Sequence, residues 1–323
     1  MQRLDPPLDQ LREYRPALTE PNDFDDFWSQ TISESRAAAN GVQLDRVDTP
    51  LRTVDVFDMR FPGFGGESIA AWLVVPADTN VPLPTVVEYS PYNGGRGLPW
   101  QHLGWASSGF AHIVMDVRGQ GSGWLAEGAT PDPHGSGPSV SGFLTRGIDS
   151  PENFVYRRIF TDAVRCIDAA RTLDVVDAEA VSLTGLSQGG GTALAAAALS
   201  DGLVAVMPDV PFLCNLPNVI GQVESNPYQE VVRYLSVRRN DVERVFHTLS
   251  FFDGVFMARR STAPALFSVG LMDDICPPSS VFAAFNNYGS PAKDIEVYQF
   301  NGHEGGGSYQ WQRQVRFARA NLG

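Results

Sequence analysis

The sequence is poor in cysteine and contains no long apolar run. Its three cysteines, Cys166, Cys214 and Cys276, are widely separated and odd in number, which favours reduced thiols over a disulfide framework. No apolar stretch reaches the roughly 18 residues that a membrane-spanning helix needs. The segment that begins at Met1 lacks a basic-then-apolar signal region. These absences predict a cytoplasmic protein.

The chain also has no excess of positively charged residues. The chain has 37 Asp and Glu against 24 Lys and Arg, which gives a net charge of −13. We therefore expect neither nucleic acid nor an anionic membrane as a partner. No Cys/His spacing suggests zinc, and no G-x-x-x-x-G-K-[ST] loop suggests a nucleotide, so no metal or cofactor is expected.

One short serine motif lies between a predicted strand and a predicted helix, which is where a nucleophile is expected. Residues 185–189 read Gly-Leu-Ser-Gln-Gly and fit the G-x-S-x-G nucleophile elbow, with a strand-like run before them and a small-residue helix pattern after them. The flanking glycines let strand and helix approach closely, and the turn exposes Ser187 beside a helix N-terminus that favours negative charge. The pattern predicts acyl transfer with Ser187 as nucleophile and the backbone N–H of Gln188 as an oxyanion donor. The alternative is one more small residue in a Gly-rich turn.

Five histidines can supply the base that a serine nucleophile needs. His303 follows a strand-like run at 295–300 and opens the flexible stretch 301–307, Asn-Gly-His-Glu-Gly-Gly-Gly. Catalytic groups of open α/β sheets collect in loops at the carboxyl ends of strands, so His303 is the predicted base. The remaining histidines are expected to be core, surface or loop residues: His102 in a helix-like stretch, His112 in an apolar run, His134 in the Pro/Gly/Ser-rich segment and His247 in a charged helix over 241–247.

The acid that orients the histidine should lie between the serine and the histidine in chain order. A strand-like run at 265–271 leads to two adjacent candidates, Asp273 and Asp274. Consecutive residues leaving a strand point to opposite sides, so only one of them can face the histidine. Asp209 has a similar position one unit earlier, where a role as a cap or turn residue is more expected. Asp116 precedes the serine and would break the order.

The order and spacing of several short segments resemble one known family over nearly the whole chain. These segments are 92–97, 115–124 with Arg118-Gly119-Gln120, 156–158, 185–190, 209–214, 270–273 with 276–279, and 303–308. Together they resemble the acetyl xylan esterase / cephalosporin C deacetylase family, carbohydrate esterase family 7.

The resemblance implies a serine esterase that removes acetyl groups from small sugars and related esters, cephalosporin C among them. It implies Ser187, Asp273 and His303 as the triad, and the backbone N–H of Tyr92 as the second oxyanion donor beside that of Gln188. Members of this family form hexamers built as trimers of dimers with active sites facing an inner cavity. A homo-hexamer that acts on small substrates rather than on polymeric xylan is therefore expected.

A wall of bulky apolar groups beside the serine would limit the acyl part of the substrate to a short chain. The candidates for this wall are Trp124, Phe212, Pro227 and Ile275. Leu186 departs from the glycine that the resemblance implies within the elbow. We expect its side chain to narrow the elbow without touching the chemistry.

The whole pattern predicts one α/β-hydrolase domain over 1–323, with a mostly parallel sheet, helices on both faces and an antiparallel start. Strand-like runs lie at 53–61, 68–76, 84–90, 111–116, 180–186, 204–210, 264–271 and 295–300. Helix-like stretches lie at 158–173, 188–199, 277–288 and 309–322. Two regions fall outside the alternation: an N-terminal arm at 1–40, with a helix from Phe24 to about Ala39 after Asp23, and a Gly/Pro/Ser-rich insertion at 125–155.

Two alternatives to this function stay open. The first is another hydrolase of the same fold, a carboxylesterase or peptidase with a different acyl preference, which would differ in its pocket rather than in its triad. The second is a binding module without catalysis. Such modules typically lack a triad member, whereas candidates for all three members are present here.

Overall fold

The computed structural model describes residues 5–38, 40–123, 126–134 and 142–322. Within these residues nine strands form one sheet in the order β1-β2-β3-β5-β4-β6-β7-β8-β9. The strands are β1 Gln43–Arg46, β2 Val54–Pro62, β3 Ser68–Pro76, β4 Leu83–Tyr89, β5 Ala111–Met115, β6 Val176–Leu186, β7 Leu203–Asp209, β8 Ala265–Gly270 and β9 Lys293–Tyr298. Pairing is antiparallel from β1 through β3 to β5 and parallel from β5 to β9. The α/β class, the mostly parallel sheet and its antiparallel start are confirmed.

Helices surround this sheet, and the predicted ones are found within a few residues of their expected bounds. The helices are α1 Leu8–Leu11, α2 Phe24–Ala37, α3 Gly104–Ser107, α4 Val155–Ala170, α5 Gln188–Ala198, α6 Leu216–Gln222, α7 Tyr228–Val237, α8 Val242–Ser250, α9 Gly254–Arg260, α10 Pro278–Asn287 and α11 Gly307–Ala320. The apolar stripe of α4 is buried as its spacing requires, since Phe160, Val164 and Ile167 are each at most 1% exposed.

The structure adds elements that the hydrophobic pattern did not predict. The edge strand β1 is exposed along its length, so it carries no buried face that periodicity could detect. Three of the helices between β7 and β8, α6, α7 and α9, were not predicted. Each of them has between seven and ten residues, which is too short to establish a clear period.

The N-terminal arm is part of the apolar core. Phe24, Trp28 and Ile32 of α2 are all buried, and the Trp28 indole N–H donates to the carbonyl of Phe251 at 3.0 Å. Asp23 precedes α2 as expected, but its side chain makes no capping hydrogen bond. Packing against the segment after α8, rather than a cap, therefore fixes this helix.

The described parts of the insertion make ordered contacts. Asp132 forms a bidentate pair with Arg158 of α4, with separations of 2.8 and 3.1 Å, and both side chains are buried. The Thr130 hydroxyl accepts the backbone N–H of Ala70 in β3 at 3.1 Å. Phe143, also within the insertion, is fully buried. The insertion is thus tied both to the sheet and to α4.

Candidate active site

The elbow has the backbone strain that its motif predicts. Ser187 lies between β6 and α5 with φ 58° and ψ −115°, a conformation that a non-glycine residue rarely adopts. A Cβ on Gly189 would lie 2.1 Å from the carbonyl oxygen of Tyr89, so only glycine fits this close approach. The Ser187 N–H donates to the carbonyl of Asp209 at 2.9 Å, and its own carbonyl accepts the Phe212 N–H at 2.9 Å. These contacts hold the turn rigid.

The structure brings the three predicted side chains into one hydrogen-bonded chain. His303 Nε2 lies 2.8 Å from Ser187 Oγ, and His303 Nδ1 lies 2.8 Å from Asp273 Oδ2. Asp273 Oδ1 accepts the backbone N–H groups of Ile275 and Cys276, each at 2.9 Å. One carboxylate oxygen is therefore fixed by the backbone, which leaves the other to face the imidazole.

Close approach of two loops makes this meeting possible. Asp273 follows β8 and His303 follows β9, and these strands are parallel neighbours. A Cβ on Gly270, the last residue of β8, would lie 2.2 Å from the carbonyl oxygen of Gly302. The absence of a side chain at Gly270 lets the two carboxyl ends come together.

The other acidic candidates lie elsewhere. Asp274 is exposed, while Asp273 is buried. Asp209 is half-buried behind the elbow, where Gln314 Nε2 donates to its Oδ2 at 2.8 Å, and desolvation of the carboxyl raises its pKa to about 7. Asp116 accepts backbone N–H groups from the neighbouring loops at 2.6 and 2.9 Å. Asp273 is the acid that contacts the histidine.

The other four histidines have partners away from the serine. His112 pairs with Glu88 at 2.9 Å, and His134 pairs with Glu67 at 2.6 Å. His102 Nε2 lies 2.9 Å from a backbone carbonyl, and the His247 ring packs edge-on against Phe251.

Within the described ranges, no group of three His, Cys, Asp or Glu side chains is arranged to hold a metal ion.

A second hydrogen-bond network joins the two segments that carry the predicted oxyanion donors. Gln188 is the first residue of α5, where a backbone N–H has no carbonyl partner within the helix. Its side-chain Oε1 accepts from Tyr156 Oη at 2.8 Å and from Gln120 Nε2 at 3.1 Å. Gln120 Oε1 in turn accepts the backbone N–H of Asn93 at 2.7 Å. Gln120 thus fixes the elbow relative to the segment that contains Tyr92.

The side chain of Tyr92 is held by hydrogen bonds to α7 and to the insertion. Its hydroxyl donates to the carboxylate of Glu230 on α7 at 2.7 Å and accepts the Phe143 N–H at 2.9 Å. The Leu144 N–H donates to the same carboxylate at 3.1 Å. Burial raises the pKa of Glu230, and burial together with the Glu230 charge raises that of Tyr92. This cluster joins the insertion and α7 through Tyr92.

A cavity of about 110 Å³ opens beside the serine. Its lining consists of Pro91, Tyr92, Leu186, Ser187, Asn226, Pro227, Ile275 and His303. Two of the four predicted wall residues, Pro227 and Ile275, are among them. Phe212 is fully buried and packs behind Tyr92 with ring centroids 6.1 Å apart, so it supports the wall from behind. Trp124 lies outside the described residues.

A family model described as acetyl xylan esterase (AXE1) matches residues 1–321. The chain belongs to the acetyl xylan esterase family. This family consists of carboxylic ester hydrolases, and its match over almost the whole chain agrees with the resemblance noted in the sequence.

Solved structures of two acetyl xylan esterases are similar to this member of the family. The enzyme from a Paenibacillus species is 37% identical with a TM-score of 0.91, and the match covers 98% of this chain and 100% of that one. Acetyl xylan esterase 1 from a Thermoanaerobacterium species is 33% identical with a TM-score of 0.90, covering 99% and 100% respectively. These matches confirm the α/β-hydrolase fold.

A curated relative is longer. Acetyl esterase Axe7A from Xylanibacter ruminicola is 25% identical over 286 residues, which represent 87% of this chain. The chain spans 63% of the length of that relative.

Sequence reasoning missed several residues that surround the serine in this family member. Gln120 lies within one of the segments on which the family resemblance rests, and this was a signal that it is important. Its hydrogen bonds to Asn93 and Gln188 could not be predicted from that segment. Leu186 was noted as a departure from glycine, yet its place in the cavity lining was not foreseen. Glu230 gave no signal, because nothing near it in the sequence indicates that α7 reaches Tyr92.

Proposed function

We propose that this chain is a serine esterase that removes acetyl groups from small acetylated sugars, xylo-oligosaccharides and cephalosporin C. One observation carries the proposal: a hydrogen-bonded chain from Ser187 through His303 to Asp273, beside a cavity of about 110 Å³. The similarity to two acetyl xylan esterases supports the choice of acetyl esters.

The proposed reaction runs in two stages through an acetyl-enzyme. His303 Nε2 takes the proton of the Ser187 hydroxyl while Oγ attacks the acetyl carbonyl carbon. The Asp273 carboxylate holds the imidazole with its proton on Nδ1 and stabilises the imidazolium that forms. The imidazolium then gives its proton to the leaving alcohol as the C–O bond breaks. In the second stage the same histidine takes a proton from water, whose oxygen attacks the acetyl carbon. The bond between that carbon and Ser187 Oγ then breaks, the imidazolium returns its proton to Oγ, and acetate leaves.

The negative oxygen formed in each stage needs fixed donors. We assign this role to the backbone N–H groups of Gln188 and Tyr92. Support for the first comes from its place at the positive end of α5. Support for the pairing comes from Gln120, which ties the Gln188 side chain to the residue after Tyr92.

The test is acetate release from acetylated xylo-oligosaccharides and from cephalosporin C, measured for the wild type and Ser187→Ala. The proposal expects release by the wild type on both substrates and its loss in the variant. Parallel assays with acetate and octanoate esters separate this function from a longer-chain esterase, and a peptide substrate tests for a peptidase. The absence of Ser187-dependent acetate release from every acetyl ester tested would overturn the proposal.

We further propose that the protein assembles as a homo-hexamer, a trimer of dimers whose active sites face an inner cavity. The support is the family resemblance together with the insertion at 125–155. Enclosure would exclude polymeric xylan while admitting oligosaccharides. Light scattering should then report a hexamer, and rates on polymer-bound acetates should be far below those on small acetates. A stable monomer or equal rates would contradict this assembly.

We also infer a cytoplasmic location. Cys166, Cys214 and Cys276 are all buried free thiols, which fits a reducing compartment. None of the described helices combines the length and apolar character needed to cross a membrane. Fractionation of the source cells should recover the protein with cytosolic markers, and recovery from the medium would contradict the inference.

A further inference from the structure

We propose that Leu186 sets the length of the acyl chain that the site accepts, an inference that rests on the esterase function proposed above. Leu186 is the last residue of β6 and directly precedes Ser187. Its side chain is half-buried and lines the cavity together with Ser187 and His303. Any acyl group bound to Ser187 Oγ must therefore lie beside it.

The chemistry of the lining indicates which part of an ester this cavity takes. Four of its residues present hydrocarbon surface: Pro91, Leu186, Pro227 and Ile275. The methyl of an acetyl group is apolar, whereas a sugar carries hydroxyl groups that would lose their hydrogen bonds to water against such a wall. The cavity is therefore suited to the acyl part, and the sugar part extends away from it.

Among these wall residues, Leu186 is the one whose side chain can change size with least effect on the triad. The Ile275 N–H holds Asp273 at 2.9 Å, so a change there risks moving the acid. Pro91 and Pro227 are rigid rings that fix the backbone at their positions. The Leu186 side chain is purely hydrocarbon, and its backbone is held in register with β7.

The size of the effect follows from general values for apolar pockets. A methylene that does not fit such a pocket changes kcat/KM by about 10- to 200-fold. Leu186→Ala removes three carbons from the wall of a cavity of about 110 Å³. The variant should therefore admit acyl chains longer than the wild type accepts, and Leu186→Phe should shift the preference the opposite way.

The experiment measures kcat/KM for p-nitrophenyl acetate, propionate, butyrate and hexanoate, which share one leaving group. Leu186→Ala should raise the butyrate-to-acetate ratio at least about tenfold over the wild type, and Leu186→Phe should lower the propionate-to-acetate ratio. Leu199→Ala is the matched control. It removes the same three carbons from a residue that packs against the same apolar cluster at the opposite end of α5, and it should leave both ratios unchanged.

Two results separate this inference from the function on which it rests. If the wild type cleaves the acetate through Ser187 but neither Leu186 variant moves its ratio, the Leu186 assignment is wrong and the esterase function stands. If the wild type shows no Ser187-dependent cleavage, both the Leu186 assignment and the esterase function are wrong. Thermal melting of each variant verifies folding. Should Leu186→Ala fail to fold, the opposite shift expected of Leu186→Phe decides the question.

Discussion

The floor and the roof of the site are built differently. The floor consists of the elbow and the loops after β8 and β9, which carry Ser187, Asp273 and His303, and backbone hydrogen bonds hold it. The roof consists of Glu230 on α7, the Tyr92 side chain and residues 142–144. Side-chain contacts between positions as far as 138 residues apart hold the roof. We propose that the floor performs the chemistry and that the roof, whose Tyr92 lines the cavity beside Ser187, restricts which substrates reach it.

The sharpest way to test the floor is to remove its nucleophile. Ser187→Ala deletes one oxygen from a buried position and leaves the backbone contacts of the elbow in place. Loss of a triad serine lowers kcat on the order of a millionfold, and we expect at least a thousandfold here. Ester hydrolysis should be measured with thermal melting as the folding control. A folded variant with near wild-type turnover would refute the floor as the reaction centre.

The second test compares neighbouring acids of the floor. Asp273→Asn should lower kcat about ten-thousandfold, because an amide favours the wrong histidine tautomer. Asp274→Asn is the matched control, since that side chain is exposed and its loss should cost little. Rate against pH should be recorded for both variants to verify that the base is affected. A large loss for Asp274→Asn with a mild one for Asp273→Asn would reverse the assignment.

A third test uses Asp209, whose backbone carbonyl accepts the Ser187 N–H and whose carboxyl lies behind the elbow. Burial raises the pKa of Asp209 to about 7, above the value of about 4 in an unfolded chain. Its neutral form therefore contributes to the free energy of unfolding. This contribution is fully present below about pH 4 and is lost as pH rises through about 7, and the total loss is at most about 4 kcal/mol. Urea unfolding across this range should show the wild type losing stability relative to Asp209→Asn. A difference that stays constant with pH would contradict the shift.

The smallest effect is expected in the roof. Tyr92→Phe leaves the Glu230 carboxylate and the Phe143 N–H without the hydroxyl that joins them. An unsatisfied buried group costs about 1–3 kcal/mol, so urea unfolding should show a loss of that order. We expect kcat/KM to fall about tenfold, mainly through KM, because the substitution retains both the triad and the backbone N–H of Tyr92. A loss in kcat as large as that of Asp273→Asn would erase the distinction between floor and roof.

The same division explains what the sequence could predict. The floor follows from local signals: a glycine-flanked serine after a strand, and an acid and a histidine after later strands of a parallel sheet. Their meeting in the structure follows from the parallel pairing of β8 with β9 and from the close approach of their carboxyl ends at Gly270. The assignment of 1–323 to a single domain stays a prediction.

The roof depends on contacts that no local pattern contains. Glu230 lies on one of the short helices between β7 and β8 that were not predicted, and its partner Tyr92 follows β4. Phe212 was expected to line the acyl pocket because it is bulky and apolar, but the full burial of its ring places it behind Tyr92. Leu186 was noticed in the sequence because it departs from a motif. Its place in the cavity lining, however, is known only from the structure.

Trapping the acetyl-enzyme would show directly whether Ser187 is the nucleophile. The wild type is mixed with p-nitrophenyl acetate, quenched in acid within the first turnovers, digested and analysed by mass spectrometry. We predict that the peptide containing Ser187 gains the mass of one acetyl group, and that Ser187→Ala shows no such gain. Acetylation of another residue, with turnover retained in Ser187→Ala, would contradict it.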